Sequence, residues 1–165
     1  MESAGSDVRL DVVNTGVPGD LTSDMLERFE RDVVEQKPNY VIIMGGANDI
    51  GWNLEVDQIF LNLKNVFDLA ESHRIEPVAC AVPSILGFDD LIPPRISLNS
   101  MIREEAKRRN LAFVDLFTAT ADAKTRRLSQ RYSGDGLHLN TEGYQRLGEI
   151  IFSEWLQKVL DQHAR

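Results

Sequence analysis

Tyr40-Val41-Ile42-Ile43-Met44-Gly45-Gly46-Ala47-Asn48-Asp49 is the stretch that decides how this chain folds. Five almost wholly apolar residues run straight into two glycines. A strand with one wet face alternates apolar and polar residues, whereas an unbroken apolar run suits a strand covered on both faces. Double coverage points to a parallel sheet with helices on either side.

Working outward, the same grammar repeats. Leu10-Asp11-Val12-Val13-Asn14 reads as a short strand. Thr22 or Ser23 can cap a helix whose Met25, Leu26, Phe29 and Val33 form one stripe, with Pro38 beyond its end. Downstream, Ile59, Leu63, Phe67 and Ala70 share a second helical face. A strand from Val78 to Val82 follows, then a loop rich in Pro, Gly and Asp from Pro83 to Pro94. A helix near Ile96 to Arg109, a strand from Ala112 to Leu116 and an irregular stretch from Thr118 to Leu139 come next. The last helix sets Tyr144, Leu147, Ile151 and Trp155 on its inner stripe. Strand–helix alternation of this kind predicts a three-layer α/β sandwich on a parallel sheet. With no internal repeat, linker or low-complexity segment, residues 1–165 read as one domain.

Composition narrows the function classes. At 165 residues, 42% hydrophobic and 27% charged, the chain suits one globular domain with a sizeable core. A formal net charge of −8 argues against a phosphate-backbone binder. The basic run Lys107-Arg108-Arg109 falls at a helix end, where cations suit the dipole, so no nucleic-acid partner is expected. No apolar run approaches the roughly 20 residues of a membrane helix. Met1 to Asp11 lacks the basic and apolar regions of a signal peptide. The one cysteine, Cys80, cannot form an internal disulfide and sits in the apolar run Pro77 to Val82, as a small buried hydrophobe rather than a nucleophile. A cytoplasmic location is the default this supports.

Chemistry is expected where the strands' carboxyl ends gather their loops. Asn14 to Asp20, Gly45 to Gly51, Pro83 to Asp90 and Asp135 to His138 can all converge there. Read alone, Gly16-Val17-Pro18-Gly19 is a tight connection; read functionally, Gly19 offers a backbone N–H to an oxyanion, at a place where a side chain would crowd the substrate. Asn48 and Asp49 can satisfy local backbone groups, or Asn48 can donate its amide to an oxyanion while Asp49 braces the loop. His138 carries more weight than His73, at a polar helix end, or His163, near the C-terminus. Asp135, three residues before it and bracketed by Gly134 and Gly136, predicts a buried carboxylate that fixes the imidazole tautomer for acid–base work. Metal binding is the rival, but no second His or Cys stands at ligand spacing, so the acid–base role is favoured and no metal is expected.

Three blocks, around Gly19, around Asn48, and at Asp135 with His138, resemble those of the SGNH (GDSL-type) hydrolases, in this order and across essentially the whole chain. The resemblance implies a flavodoxin-like α/β sandwich and an esterase or lipase-like hydrolase acting on small acyl esters. It also implies oxyanion donors at Gly19 and Asn48, with Asp135 and His138 as two members of a Ser-His-Asp triad, a mechanism that needs no metal or organic cofactor.

The family's first block, a strand leading to a Gly-Asp-Ser turn with the nucleophile, has no counterpart here. Ser3 and Ser6 follow no apolar strand, and Ser84 and Ser133 do not match the family's nucleophile position. The first central strand is therefore expected to be absent as well, which would cost the Leu10–Asn14 and Tyr40–Met44 strands a central neighbour each. Three explanations stand: a late-started reading of a longer protein, the one favoured because Asn48, Asp135 and His138 are intact; a homodimer that closes the gap; or an inactive SGNH-fold binding module. A nucleotide-binding flavodoxin-like domain is remote, since no Gly-rich phosphate fingerprint opens a helix. Leu86, Phe88, Leu91 and Ile92 can line an acyl pocket or anchor their loop on the core.

Overall fold

The structure, a computed structural model, describes residues 9–164. Ser3 and Ser6 lie outside the described residues. In chain order the main elements are α1 (Thr22–Asp32), β1 (Tyr40–Ile43), α2 (Ala47–Gly51), α3 (Val56–Ser72), β2 (Glu76–Cys80), α4 (Ile92–Arg109), β3 (Ala112–Val114), α5 (Leu116–Thr120) and α6 (Thr141–Ile151). A π-helical turn, Phe152–Leu156, joins α6 to α7 (Gln157–His163).

The three strands form one parallel sheet in the order β1-β2-β3, with Tyr40 opposite Glu76 and Val78 opposite Ala112. Alternate residues face alternate layers, as the pleat demands. Val41, Ile43, Ala79 and Phe113 pack with Phe29, Ile59, Leu63 and Phe67 of α1 and α3 and Leu98 and Ile102 of α4. Tyr40, Val78, Cys80 and Val114 pack on the other face against Leu147, Ile150 and Trp155. Trp155 meets Tyr40 edge-on, centroids 5.4 Å apart at 70°. The doubly covered strand is β2, whose Val78, Ala79 and Cys80 are all buried.

Several sequence expectations need correction. Leu10–Asn14 is not a strand: it pairs with nothing described, and Val12 and Val13 are exposed. A strand needs a hydrogen-bonding neighbour, and among the described residues none lies beside it or beside the outer edge of β1. Ile42 and Met44 are exposed accordingly, so the run that promised two covered faces has them only in part. α4 starts at Ile92 rather than Ile96, because Pro93 and Pro94 fit a first helical turn, whose N–H groups need no partner. Thr22 is inside α1 rather than its cap; the Asp24 carboxylate accepts the Leu21 N–H at 2.9 Å instead. Tyr144 is exposed; the inner stripe of the last helices is Leu147, Ile150 and Trp155, with Ile151 half-buried against it as expected and Trp155 carried by the π-helical turn.

Candidate active site

The loop before α1 closes in a turn, Val17-Pro18-Gly19-Asp20, with the Asp20 N–H donating to the Val17 carbonyl at 3.3 Å. Gly19 has φ +88°, the left-handed value that the third position of a type II turn requires. The space a Cβ would enter there is open, so conformation rather than crowding explains the glycine. Among the described residues nothing accepts from the Gly19 N–H. Arg28 of α1 holds the loop from behind, donating to Asp20 at 2.6 Å, to the Thr15 carbonyl at 2.7 Å and to Asp32 at 2.9 Å. Burial works to lower the Arg28 pKa, but the bonds to Asp32 and Asp20 outweigh it and the net direction is up.

After β1 the chain turns through Gly46 at φ +106°. A Cβ here would stand 2.6 Å from Leu98 Cδ2 and 3.0 Å from Ile59 Cγ2, so both conformation and space demand glycine. The turn launches α2 with Asn48 outward and Asp49 inward. Asn48 Nδ2 donates to the Asp20 carbonyl at 2.8 Å. One amide hydrogen is thereby used to fix the side chain and the second is left for another acceptor. Asp49 is fully buried; its carboxylate accepts the Thr22 N–H at 3.1 Å and the Thr22 hydroxyl at 2.6 Å. Asn62 Nδ2 donates to the same hydroxyl oxygen at 3.1 Å. Two links, Asn48 to Asp20 and Asp49 to Thr22, thus join the Gly19 loop to the Asn48 loop.

The second half of the site is a compact turn before α6. Asp135 Oδ1 accepts the backbone N–H groups of Leu137 at 2.9 Å and His138 at 2.7 Å. Asp135 Oδ2 lies 2.7 Å from His138 Nδ1. A carboxylate can only accept, so Nδ1 carries the proton and the lone pair of the neutral ring is on Nε2. The His138 side chain, followed by the two backbone N–H groups, holds the Asp135 pKa well below the usual carboxylate range. Ser133 and Asn140 brace the turn, the former accepting the Gly136 N–H at 2.8 Å and the latter capping α6 through the Gly143 N–H at 2.8 Å. Of the two bracketing glycines only Gly136, at φ +88°, needs to be one for its backbone.

The expected burial of Asp135 is corrected: its side chain is 58% exposed and that of His138 is 68% exposed. Nothing among the described residues covers them, so they owe their order to the turn. That turn is anchored to the loop after β2, where the Leu86 and Gly87 N–H groups both donate to the Gly136 carbonyl, at 3.0 and 3.1 Å. Ile92, the first residue of α4, is core, with Leu91 half-buried beside it, while Phe88 is exposed at the rim of this loop.

Neither of the two described serines considered as nucleophile bonds to His138. Ser84 is buried and donates to the Arg126 carbonyl at 2.5 Å; the Ser133 hydroxyl is engaged by Gly136. His73 and His163 bond to backbone carbonyls of their own helices, Leu69 and Val159. Burial, with Glu154 adding to it, pushes the Cys80 thiol up to about 12, an unreactive neutral group. Among the described residues no three His, Cys, Asp or Glu side chains come together in a way that could hold a metal ion. None of the described helices is long and apolar enough to cross a membrane. Sequence reasoning missed Arg28 and Asn62; the four-residue spacing of Arg28 and Asp32 was a local signal for the first, whereas Thr15 and Thr22 lie 13 and 40 residues from their partners, at separations no local pattern encodes.

Comparison with known proteins converges on one family. A profile of the GDSL-like lipase/acylhydrolase family matches residues 3–146. An acetylxylan esterase of Geobacillus stearothermophilus is 25% identical over 157 residues, spanning 87% of this chain and 71% of that protein. The uncharacterized lipoprotein YqeF of Bacillus subtilis (strain 168) is 50% identical over 85 residues, which is 47% of this chain and 35% of the lipoprotein. The crystal structure of a GDSL-like lipase from Bacteroides thetaiotaomicron superposes with a TM-score of 0.78 at 25% identity, covering 88% of this chain and 73% of the lipase. The crystal structure of the Geobacillus acetylxylan esterase superposes at 0.76 with 21% identity, covering 86% of this chain and 70% of the esterase, a likeness of fold alone.

Proposed function

We propose a catalytic role from one premise: the chain belongs to the GDSL-like lipase/acylhydrolase family and is an ester hydrolase by that membership. It acts on small acyl esters through a Ser-His-Asp triad made of Asp135, His138 and a serine carried outside these 165 residues. His138 Nε2 takes the serine proton as the hydroxyl attacks the ester carbonyl, and Asp135 stabilises the imidazolium that forms. The Gly19 N–H and the free Asn48 amide hydrogen receive the oxyanion of the tetrahedral intermediate. His138 returns its proton to the departing alcohol, then activates a water to release the acid. A single oxyanion donor of this kind is worth about 10²–10³ in kcat.

The observation that carries this reading is the 2.7 Å Asp135–His138 bond, which fixes the tautomer and leaves Nε2 as the base. The name of the Geobacillus relative makes an acetyl ester the first substrate to try. Cys80 alone implies no disulfide chemistry, and a relative named a lipoprotein gives a cytoplasmic site no support.

The test is hydrolysis of p-nitrophenyl acetate and fluorophosphonate labelling, by the chain alone and by the chain expressed with its in-frame upstream coding sequence. Turnover and labelling are expected only in the longer form, and both vanish in His138→Ala. Undiminished turnover by the alanine variant would refute the assignment. A longer form that folds cooperatively yet neither labels nor turns over would identify an inactive binding module.

A further inference from the structure

A second cleft lies at the carboxyl end of β3, and none of Gly19, Asn48, Asp135 or His138 lines it. α4 contributes Ser100 and Arg103, the start of α5 contributes Asp115, Phe117 and Thr118, and Arg126 reaches in from the segment after α5. Its volume is about 210 Å³, room for a phosphate group with a few attached atoms and short of the roughly 300 Å³ at which drug-sized sites begin. Ser100, Arg103, Thr118 and Arg126 are all exposed, so the cleft is open to solvent.

The one carboxylate of the cleft is already used. Asp115 Oδ1 accepts the Thr118 N–H at 3.0 Å, while Oδ2 accepts the Thr118 hydroxyl at 2.9 Å and pairs with Arg103 Nη2. What remains is donors. Nε and Nη1 of Arg103, the Ser100 hydroxyl and the whole Arg126 guanidinium make no hydrogen bond among the described residues. Two guanidinium groups face one carboxylate, a positive cleft in a chain whose formal net charge is −8. Donors in surplus suit a ligand that is anionic and only accepts.

Arg126 is fixed in place at a conformational cost. Its φ of +63° is left-handed, a region in which a residue with a Cβ is strained. The Arg126 N–H closes a turn on the Asp122 carbonyl at 2.9 Å, and the Ser84 hydroxyl donates to the Arg126 carbonyl at 2.5 Å. In this setting the guanidinium carbon lies 5.1 Å from the Phe117 ring centroid, as that of Arg103 lies 5.0 Å from the Phe113 centroid. Stacking occupies a face of each guanidinium and leaves the N–H edges, where a forked oxyanion binds. Neighbouring carboxylates are engaged elsewhere: Asp122 accepts the N–H groups of Lys124 at 3.0 Å and Thr125 at 2.8 Å in its own turn, and Asp89 pairs with Arg127. Strain held at a non-glycine residue is a feature that clusters at ligand sites.

We propose that this cleft binds a phosphate group, held by the N–H edges of Arg103 and Arg126 and by the Ser100 hydroxyl. Guanidinium and phosphate match in plane and spacing, which selects such a group over a spherical ion. A carboxylate has fewer oxygens to divide between two guanidinium groups and a hydroxyl. The phosphate can be inorganic or the head of a small monoester. The assignment goes beyond the esterase reading and does not depend on it, since it needs no nucleophile.

The test is an NMR titration of the arginine Nε–Hε resonances with sodium phosphate, glycerol phosphate, sodium acetate or sodium chloride at matched ionic strength. The Arg103 and Arg126 resonances are expected to move saturably with phosphate, its ester or both, and roughly tenfold more weakly with acetate. A response to the ester alone marks a phosphoester site, and to phosphate alone a site for the inorganic ion. Arg126→Gly is the decisive variant, because glycine relaxes the left-handed backbone and the fold should be at least as stable as the wild type. It should weaken the Arg103 response roughly tenfold or more in apparent affinity. Arg126→Lys keeps the charge without the fork and should fall between the two. Arg127→Ala, outside the cleft, should bind as the wild type does. At ten times Kd, phosphate should also raise the wild-type Tm by about 3–6 °C and leave Arg126→Gly almost unmoved. No saturable movement up to about 50 mM, equal affinity for phosphate and acetate, or an unchanged Arg103 response in Arg126→Gly would overturn the proposal.

Discussion

Replacing Asp49 with alanine tests how the Gly19 and Asn48 loops are held together. The carboxylate is fully buried and no Lys or Arg among the described residues pairs with it; its compensation is the N-terminus of α1, through the Thr22 N–H at 3.1 Å and the Thr22 hydroxyl at 2.6 Å. Alanine strands both donors in a site water does not reach. At about 1–3 kcal/mol for each unsatisfied buried donor, the loss sums to roughly 2–6 kcal/mol. Deleting a buried charge returns part of that, so a net destabilisation of about 2–4 kcal/mol is expected. Asp49→Asn keeps one acceptor oxygen and should cost about 1 kcal/mol. The assay is urea unfolding of Asp49→Ala, Thr22→Val and the double variant, read as a cycle. Because the two side chains share one interaction, a coupling of about 1.5–3 kcal/mol should appear. Since this link lies beside the separate Asn48–Asp20 bond and holds the same two loops together, any esterase activity should fall in kcat more than in KM. A cycle coupling below about 0.5 kcal/mol would refute the reasoning.

Other outcomes follow from single positions. Gly46→Ala combines a φ of +106° with a Cβ 2.6 Å from Leu98, and should destabilise by about 2–4 kcal/mol, whereas Gly51→Ala, in open space at ordinary φ, should be neutral or slightly stabilising; equal urea midpoints for the two would contradict this. Arg108, against the pull of burial and with help from Arg109, depresses Glu105 from 4.5 to about 2. A depressed carboxylate stabilises the fold above its unfolded pKa and loses that contribution as pH falls through the folded one, so the wild type should weaken between about pH 4.5 and 2, and Glu105→Gln should lose its advantage at pH 6 and converge on the wild type in acid. Asp135→Asn should leave the urea midpoint within about 0.5 kcal/mol of wild type, being exposed, while lowering turnover of the active form by about 10⁴ through the wrong imidazole tautomer.

Much of this was legible in the sequence where physics is local. The stripe Ile59, Leu63, Phe67, Ala70 needed only the helical period, and all four are buried. The Asp135–His138 pair needed only a three-residue spacing within a turn. Asp49 as a brace followed from its place beside Asn48, but its partner did not, since Thr22 stands 27 residues away and looked like a cap. Leu10–Asn14 misled because apolar alternation announces a strand only if another strand lies alongside, and that is a property of the sheet, not of the segment. Tyr144 misled because the π-helical turn Phe152–Leu156 carries Trp155 off the regular 3.6-residue stripe. Arg126 gave only a basic spot beside Lys124 and Arg127; that its guanidinium lies over Phe117 depends on a left-handed turn no periodicity announces.

The two halves of the candidate site are therefore stabilised by different physics, and this makes them separable by experiment. On the Asn48 side, order comes from burial: Gly46 is wedged against Leu98, and Asp49 is sealed onto α1. Changes there act on the whole fold, and a loss of activity cannot be told from a loss of structure without an unfolding curve. On the His138 side, order comes from short-range hydrogen bonds in an exposed turn, and exposed pairs contribute little to stability because water screens them. The Asp135 carboxylate is pinned instead by two backbone N–H groups of its own turn, at 2.9 and 2.7 Å, which need no burial to form. A covering segment that excluded water from this turn would strengthen the carboxylate–imidazole attraction by lowering the local dielectric, with no movement of either residue. The exposed pair is thus already held in one geometry, and on the proposed mechanism variants at Asp135 and His138 would report on chemistry with the fold held constant, which is what variants at Gly46 and Asp49 cannot do.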